Sequence, residues 1–357
     1  MAMFSNGIVL NQHKEPALSQ KMVRLLNPHK REFELSGGPI TGDLPEAAAL
    51  IDIIEAAGIT DERDGSLLHE ALRECVGTGR AMLIDAVDDE PYVSSKLGPM
   101  LQMQEELLGG VEICRHICDT KNINFLVYKH LTDIESHIPA KIGEYPVVKL
   151  RGGYPATPSV FQLRRLGREN KLVVSVGALI RVYRAVRQGV RQNSSFITVA
   201  GNCVAKPVNM EVSFGISITQ VVERVGLIDE PTRIVSGGPM RGFAVVVPDK
   251  TVVMPTTRAV LAIRQSKSEF YSACVGCGRC EQICPMGLNP AYIHRLVQNG
   301  YYSQLKRFDA HMCIGCGTCS YICPSRLDVV ESTERAKAYA EKHFIEKTGG
   351  EEKQNAG

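Results

Sequence analysis

Apolar positions recur at helical spacing between Pro45 and Ala57, where Ala48, Ile51, Ile54 and Ala57 fall on one face. Pro45 suits the first turn of such a helix and Gly58 its end. Short apolar runs at 82–87, 123–128, 147–150 and 172–176 read as strands, separated by helical patterns at 97–108 and 178–188. Strands alternating with helices predict an α/β layered domain over residues 44–192. Residues 1–43 carry scattered polar and glycine positions and predict an extended arm or a short hairpin.

Beyond Gln192 the texture changes. Short strand patterns occur at 196–199, 210–214, 233–235, 244–247 and 251–254, with turns at Gly201-Asn202, Gly237-Gly238 and Pro248-Asp249 and one helix at 218–225. They predict a small α+β module over 193–262. Residues 263–335 hold two cysteine-rich loops with helical sequence between them, in which Asn289-Pro290 makes a helix start and Ile293, Leu296 and Val297 share a face. Residues 336–357 read as a helix and a disordered tail. The predicted fold class is therefore an α+β multidomain chain.

At 357 residues the chain is long enough for two or three cores. A charged fraction of 22%, a net charge of +2 and the lack of an 18-residue apolar run argue against a membrane span and against nucleic-acid binding. Peripheral docking on a membrane partner stays open. Met1 to Lys14 lacks the apolar run of a secretion signal, which predicts a reducing, cytoplasmic compartment.

That compartment decides how the cysteines are read. Eight of the 12 form two runs, Cys274-x-x-Cys277-x-x-Cys280-x-x-x-Cys284-Pro285 and, with 28 residues between Cys284 and the next cysteine, Cys313-x-x-Cys316-x-x-Cys319-x-x-x-Cys323-Pro324. Three closely spaced cysteines let one short loop wrap a cube of iron and sulfide, and the remote fourth thiolate comes from elsewhere. This is the bacterial ferredoxin spacing, in which the fourth cysteine of each run ligates the other run's cluster. Two [4Fe–4S] clusters are expected, one held by Cys274, Cys277, Cys280 and Cys323, the other by Cys313, Cys316, Cys319 and Cys284. Zinc is the competing reading, since paired CxxC elements also make four-cysteine zinc sites, but it leaves the middle cysteine of each triplet without a role.

The pair of cysteine runs, the preceding Ser236-Gly237-Gly238-Pro239-Met240-Arg241-Gly242-Phe243 and the stretch Val199-Ala200-Gly201-Asn202-Cys203-Val204-Ala205-Lys206-Pro207 resemble the C subunit of the Rnf electron-transport complex. Relatives include the cobalamin reductase of propanediol-utilising microcompartments. The resemblance covers roughly residues 80–335. It implies that the small module is a soluble-ligand-binding β-grasp domain and that the domain before it is similar to the flavin- and NADH-binding subunit of complex I.

The departures change the functional expectation. Family members carry a Gly-Gly-Ala-Gly-Phe-Pro-Thr loop whose amides cradle a flavin or nucleotide phosphate. Here the corresponding stretch is Gly58-Ile59-Thr60-Asp61-Glu62-Arg63-Asp64-Gly65-Ser66, whose carboxylates would repel a phosphate. A family Glu-Cys-Glu-Pro-Tyr element survives as Asp88-Asp89-Glu90-Pro91-Tyr92, so Asp88, Glu90 and Tyr92 are the remaining flavin candidates. A third element becomes Tyr154-Pro155-Ala156-Thr157-Pro158-Ser159, and the N-terminal lipoyl-like module of longer relatives is not recognisable. Bound FMN is accordingly disfavoured.

Other features have plainer readings. Arg151-Gly152-Gly153-Tyr154 and Ser236-Gly237-Gly238-Pro239 read as turns. Cys114 and Cys118 share a helix face and read as buried packing thiols rather than a third metal site, as do Cys75 and Cys203. His311 reads as a loop histidine beside the second cysteine run. No nucleophile–base pair is identifiable, so no catalytic residue is assigned and chemistry is expected to enter through cofactors and partner proteins. The expected function is an electron-transfer subunit that relays electrons through two clusters between a flavoprotein and a redox enzyme within a hetero-oligomer. The alternative is a flavin-dependent NAD(P)H oxidoreductase that reduces a corrinoid or ferredoxin.

Overall fold

The computed structural model describes residues 22–26, 34–128, 138–150, 171–264 and 272–345. They divide into two compact units, one reaching to Arg264 and one beginning after it.

In the first unit, β2 (Ala81–Asp85), β3 (Ile123–Tyr128), β5 (Tyr145–Leu150) and β6 (Lys171–Ser175) form a parallel sheet, edged by the short antiparallel β4 (Lys141–Ile142). The spatial order is β4-β5-β3-β2-β6. The chain thus runs outward from β2 to β3 and β5, then returns to the far side of β2. Helices α1 (Ala47–Ala56), α2 (Leu68–Arg73), α3 (Leu97–Gln102), α4 (Gln104–Cys118) and α5 (Val176–Gln188) accompany this sheet. Leu50, Ile54, Leu72, Met82, Ile84, Phe125, Val174 and Leu179 belong to one buried core, each contributing about 1.5–3 kcal/mol.

The single helix expected over 97–108 is two helices, because Met103 leaves helical geometry at φ −124° and ψ 43°. The break lets α4 take its own packing direction. Its Gly110 lies so close to α5 that an added Cβ would stand 2.0 Å from the Leu179 carbonyl oxygen.

A six-stranded sheet follows, ordered β1-β8-β7-β11-β9-β10. Its strands are β1 (Val23–Leu25), β7 (Ser194–Ala200), β8 (Val208–Ser213), β9 (Arg233–Ser236), β10 (Phe243–Ala244) and β11 (Ala259–Ile263). The N-terminal arm supplies β1, which pairs parallel with β8. Helix α6 (Ile218–Val225) has the expected bounds, fixed by a capping box between Ser217 and Gln220.

Two expectations change here. The strand at 244–247 shrinks to Phe243–Ala244, and 251–254 makes only an isolated bridge from Val252 to Ser217. The interior position belongs instead to β11, between β7 and β9. All five of its residues are buried, so it shows none of the alternation that marks a half-exposed strand.

The second unit repeats one design. A cysteine loop runs into a short helix, α7 (Arg279–Gln282) or α9 (Thr318–Tyr321), entered through Gly278 or Gly317 at φ 71° and 72°. A longer helix follows in each half, α8 (Pro290–Gln298) or α10 (Val329–Ala340), capped by the side chain of Asn289 or Asp328. Leu288, Ile293, Leu296, Val297, Leu305 and Ala336 form the core between them. The repeat is imperfect at one turn, where Arg326 takes the positive φ (56°) that Gly287 takes in the first half (67°).

Candidate metal centre

Each half of the second unit presents its cysteines to a cavity. One cavity is lined by Cys274, Cys277 and Cys280 together with Cys323, and the other by Cys313, Cys316 and Cys319 together with Cys284. The helix between the runs serves both, with Ala291 and His294 on the first cavity and Pro290, together with Leu288 just before the helix, on the second.

The two surroundings differ. Cys274 and Cys277 are exposed, whereas Cys313, Cys316 and Cys319 are buried. Burial pushes the Cys280 and Cys313 thiols above the ordinary range and Cys319 up to about 12. A buried thiolate therefore needs a cationic partner. Backbone amides offset part of the cost, as where Gly315 N donates to Cys313 Sγ at 3.4 Å. The Thr318 hydroxyl lies 3.3 Å from Cys316 Sγ.

This donor set fits a thiolate-bound cluster at each cavity. Among the described residues, no three or more His, Cys, Asp or Glu side chains are disposed to hold a single metal ion.

His294 carried no signal in the sequence beyond its place on the spacer helix. It lines the first cavity, and its Nδ1 lies 2.8 Å from the Ser332 hydroxyl. His311 does not line either cavity.

The two acidic flavin candidates, Asp88 and Glu90, have other partners. Asp88 accepts from the amides of Lys96 and Leu97. Glu90 accepts from the amides of Met240 and Arg241 and from Arg241 Nε at 3.0 Å, while Asp89 receives the Arg241 and Arg258 guanidiniums. The Ser236–Gly242 turn is thus a receptor for Glu90, and a Cβ on Gly238 would stand 2.2 Å from Glu90 Oε2. Tyr92 holds a left-handed backbone at φ 66°. In the stretch 58–66, Asp61 and Glu62 are buried and bonded to backbone amides. These residues do not fit a flavin phosphate or ring as they stand.

Cys114 and Cys118 lie in the core with Cys75, and burial raises all three thiols, Cys118 to about 12. Cys203 is buried in the core of the six-stranded sheet. The Arg151–Tyr154 and Tyr154–Ser159 stretches lie outside the described residues.

Residues 273–330 match the family model of a 4Fe-4S dicluster domain. The C subunit of the proton-translocating ferredoxin:NAD(+) oxidoreductase complex of Clostridium ljungdahlii is 28% identical, covering 63% of this chain and 52% of that protein. Its counterpart in the ion-translocating oxidoreductase complex of Pseudomonas aeruginosa is 29% identical over 63% of this chain and 31% of its own length. The chain is a homologue of these Rnf-type proteins. It spans about a third to a half of the length of these two curated relatives.

The chain is also similar in structure to a NAD+-reducing [NiFe]-hydrogenase in its H2-reduced state. The TM-score is 0.54 at 12% identity, covering 82% of this chain and 63% of that one, a likeness of fold alone. Among the described residues no helix is long and apolar enough to cross a membrane.

Proposed function

We propose that this protein is the iron–sulfur electron-transfer subunit of an oxidoreductase complex, with two [4Fe–4S] clusters. Cys274, Cys277, Cys280 and Cys323 hold one, and Cys313, Cys316, Cys319 and Cys284 hold the other. The observation that carries this reading is the exchange of the fourth cysteine, each of which lines the cavity of the other run. Bound there, such clusters supply one-electron transfer without proton or group chemistry. The chain's own part is to fix the two cavities a helix apart, keep water from the buried triplet and orient amides toward sulfur.

The relatives' names place them in ferredoxin:NAD(+) and ion-translocating complexes, which supports a hetero-oligomer; a flavoprotein and a second redox protein are read as its other members. The six-stranded module is read as the β-grasp domain of that family. The α/β domain before it is read as a scaffold that has lost its flavin. The alternative, a flavin-dependent NAD(P)H oxidoreductase, requires a nucleotide site, and the residues that would make it are already bonded to one another.

Protein purified without oxygen should hold about eight iron and eight sulfide per chain, show no flavin absorption band and reduce no dye with NADH. Stoichiometric zinc with iron absent would overturn the cluster reading. A retained flavin with steady NADH oxidation would favour the alternative.

A further inference from the structure

In parallel α/β sheets, ligands bind in the crevice beyond the carboxyl ends of the strands at the point where strand order reverses. Here that point lies between β2 and β6, because the chain leaves β2 toward β3 and β5 and returns on the other side. The C-terminal end of β6 runs directly into α5, whose first amides and dipole would face an anion.

The crevice is filled by the chain itself. Glu62 Oε1 accepts from Gly177 N at 3.1 Å, and Glu62 Oε2 accepts from Arg181 Nη1 at 3.0 Å. Beside it, Asp61 Oδ2 accepts from Ser175 N at 3.0 Å, while Asp61 Oδ1 takes Arg63 Nε at 2.8 Å. Lys96 Nζ meets Asp85, the last residue of β2, at 2.7 Å, and both are buried. Two further donors lie in the same place. Arg181 Nε and the Ser175 hydroxyl are buried and have no hydrogen-bond partner among the described residues. Gly177 is required for the fit, since a Cβ there would stand 2.2 Å from Glu62 Oε2.

A helix N-terminus, a buried arginine aimed at it, spare donors and a glycine that permits close approach are the parts of a phosphate site. We propose that Glu62 is a built-in anion: its carboxylate occupies the phosphate position at the N-terminus of α5 and, with Asp61, closes the nucleotide crevice of this sheet. The inference rests on the α/β unit alone and does not depend on the cluster reading. The crevice is then a structural element, held by internal charge, where a phosphate-bearing cofactor would otherwise sit.

The test is chemical rescue with inorganic phosphate, using the full chain with its metal content intact. Removing the carboxylate by Glu62→Ala leaves Arg181 buried without its anion, and the variant should melt below the parent in chloride buffer. Phosphate at matched ionic strength should restore most of that loss, and calorimetric titration should show saturable phosphate binding to the variant and none to the parent. The double variant Glu62→Ala/Arg181→Met should fold in chloride and gain nothing from phosphate. Glu62→Ala that folds only in phosphate would support the proposal. The proposal is overturned if Glu62→Ala is unaffected by phosphate or fails to fold in both buffers, or if the double variant responds equally to phosphate.

Discussion

Cys284 lines one cavity with Cys316, although it closes the cysteine run of the other. Cys323 does the reverse, so each cavity takes its fourth lining cysteine from the other run. Cys284→Ala should therefore damage the cluster of the Cys313 run, and Cys323→Ala that of the Cys274 run. Electron paramagnetic resonance of the reduced variants decides it, once the two signals are assigned with Cys277→Ala and Cys316→Ala. If each fourth-cysteine variant loses the signal of its own triplet, the crossed assignment is wrong.

Exposure separates the two centres in a second way. Cys274 and Cys277 are open to solvent, with Val275 between them 65% exposed, whereas each cysteine of the other triplet is at most 9% exposed. Oxygen or a chelator should reach the first cluster sooner, because attack on a thiolate cage follows access. Loss of visible absorbance in air should be biphasic, and the signal that disappears first should be the one removed by Cys277→Ala. Equal rates for both signals would contradict this.

Much of this arrangement was legible in the sequence, for reasons that can be named. The cysteine spacing carries its own geometry, and Asn289-Pro290 marks a helix start through a local hydrogen bond alone. Strand β3 was bounded to the residue because its apolar run ends where polar residues begin. What escaped depends on distant contacts. β11 is buried on both faces, so its pattern does not distinguish strand from core helix. His294 faces a cavity only because its helix crosses between two loops. The carboxylates of Asp61 and Glu62 were expected to repel a phosphate, and their role as hydrogen-bond acceptors for α5 needed Ser175 and Gly177, more than a hundred residues on.

The pairing of Arg241 with Asp89 and Glu90 joins the two sheets of the first unit through fully buried carboxylates. Arg241→Ala leaves Glu90 its amide donors but removes its nearest cation, and Arg258 remains for Asp89. Breaking a buried pair from one side costs about 3–5 kcal/mol, and the shared carboxylates place the expected loss near the lower figure. Arg241→Lys should recover only part of it, since one ammonium cannot reproduce the guanidinium fork. Chemical denaturation of the three proteins measures this, and a loss below about 1 kcal/mol, the range of exposed pairs, would show that the cluster of charges is not what joins the sheets.

Asp88 gives the fold a pH dependence of known sign. Burial pushes its carboxyl up to about 7, against the opposing pull of the Leu97 and Lys96 amides that donate to it. In the unfolded chain the same group titrates near the ordinary value of about 3.9. The folded state therefore holds this proton more tightly, so the contribution of Asp88 to stability is complete below about pH 4 and is lost as pH rises through about 7. Integrated over that window the loss is about 4 kcal/mol. Asp61 works in the opposite direction. Burial alone would raise its carboxyl, but the charge and hydrogen bonds of Arg63 hold it below the ordinary range. The informative quantity is therefore the difference between the parent and Asp88→Asn, in which the shared background cancels. Unfolding free energies measured from pH 5 to 8 should show the parent losing ground to Asp88→Asn by about 2–3 kcal/mol as pH rises, the part of that loss that falls above pH 5. A difference that stays flat across that range would mean that Asp88 is ionised in the folded protein throughout.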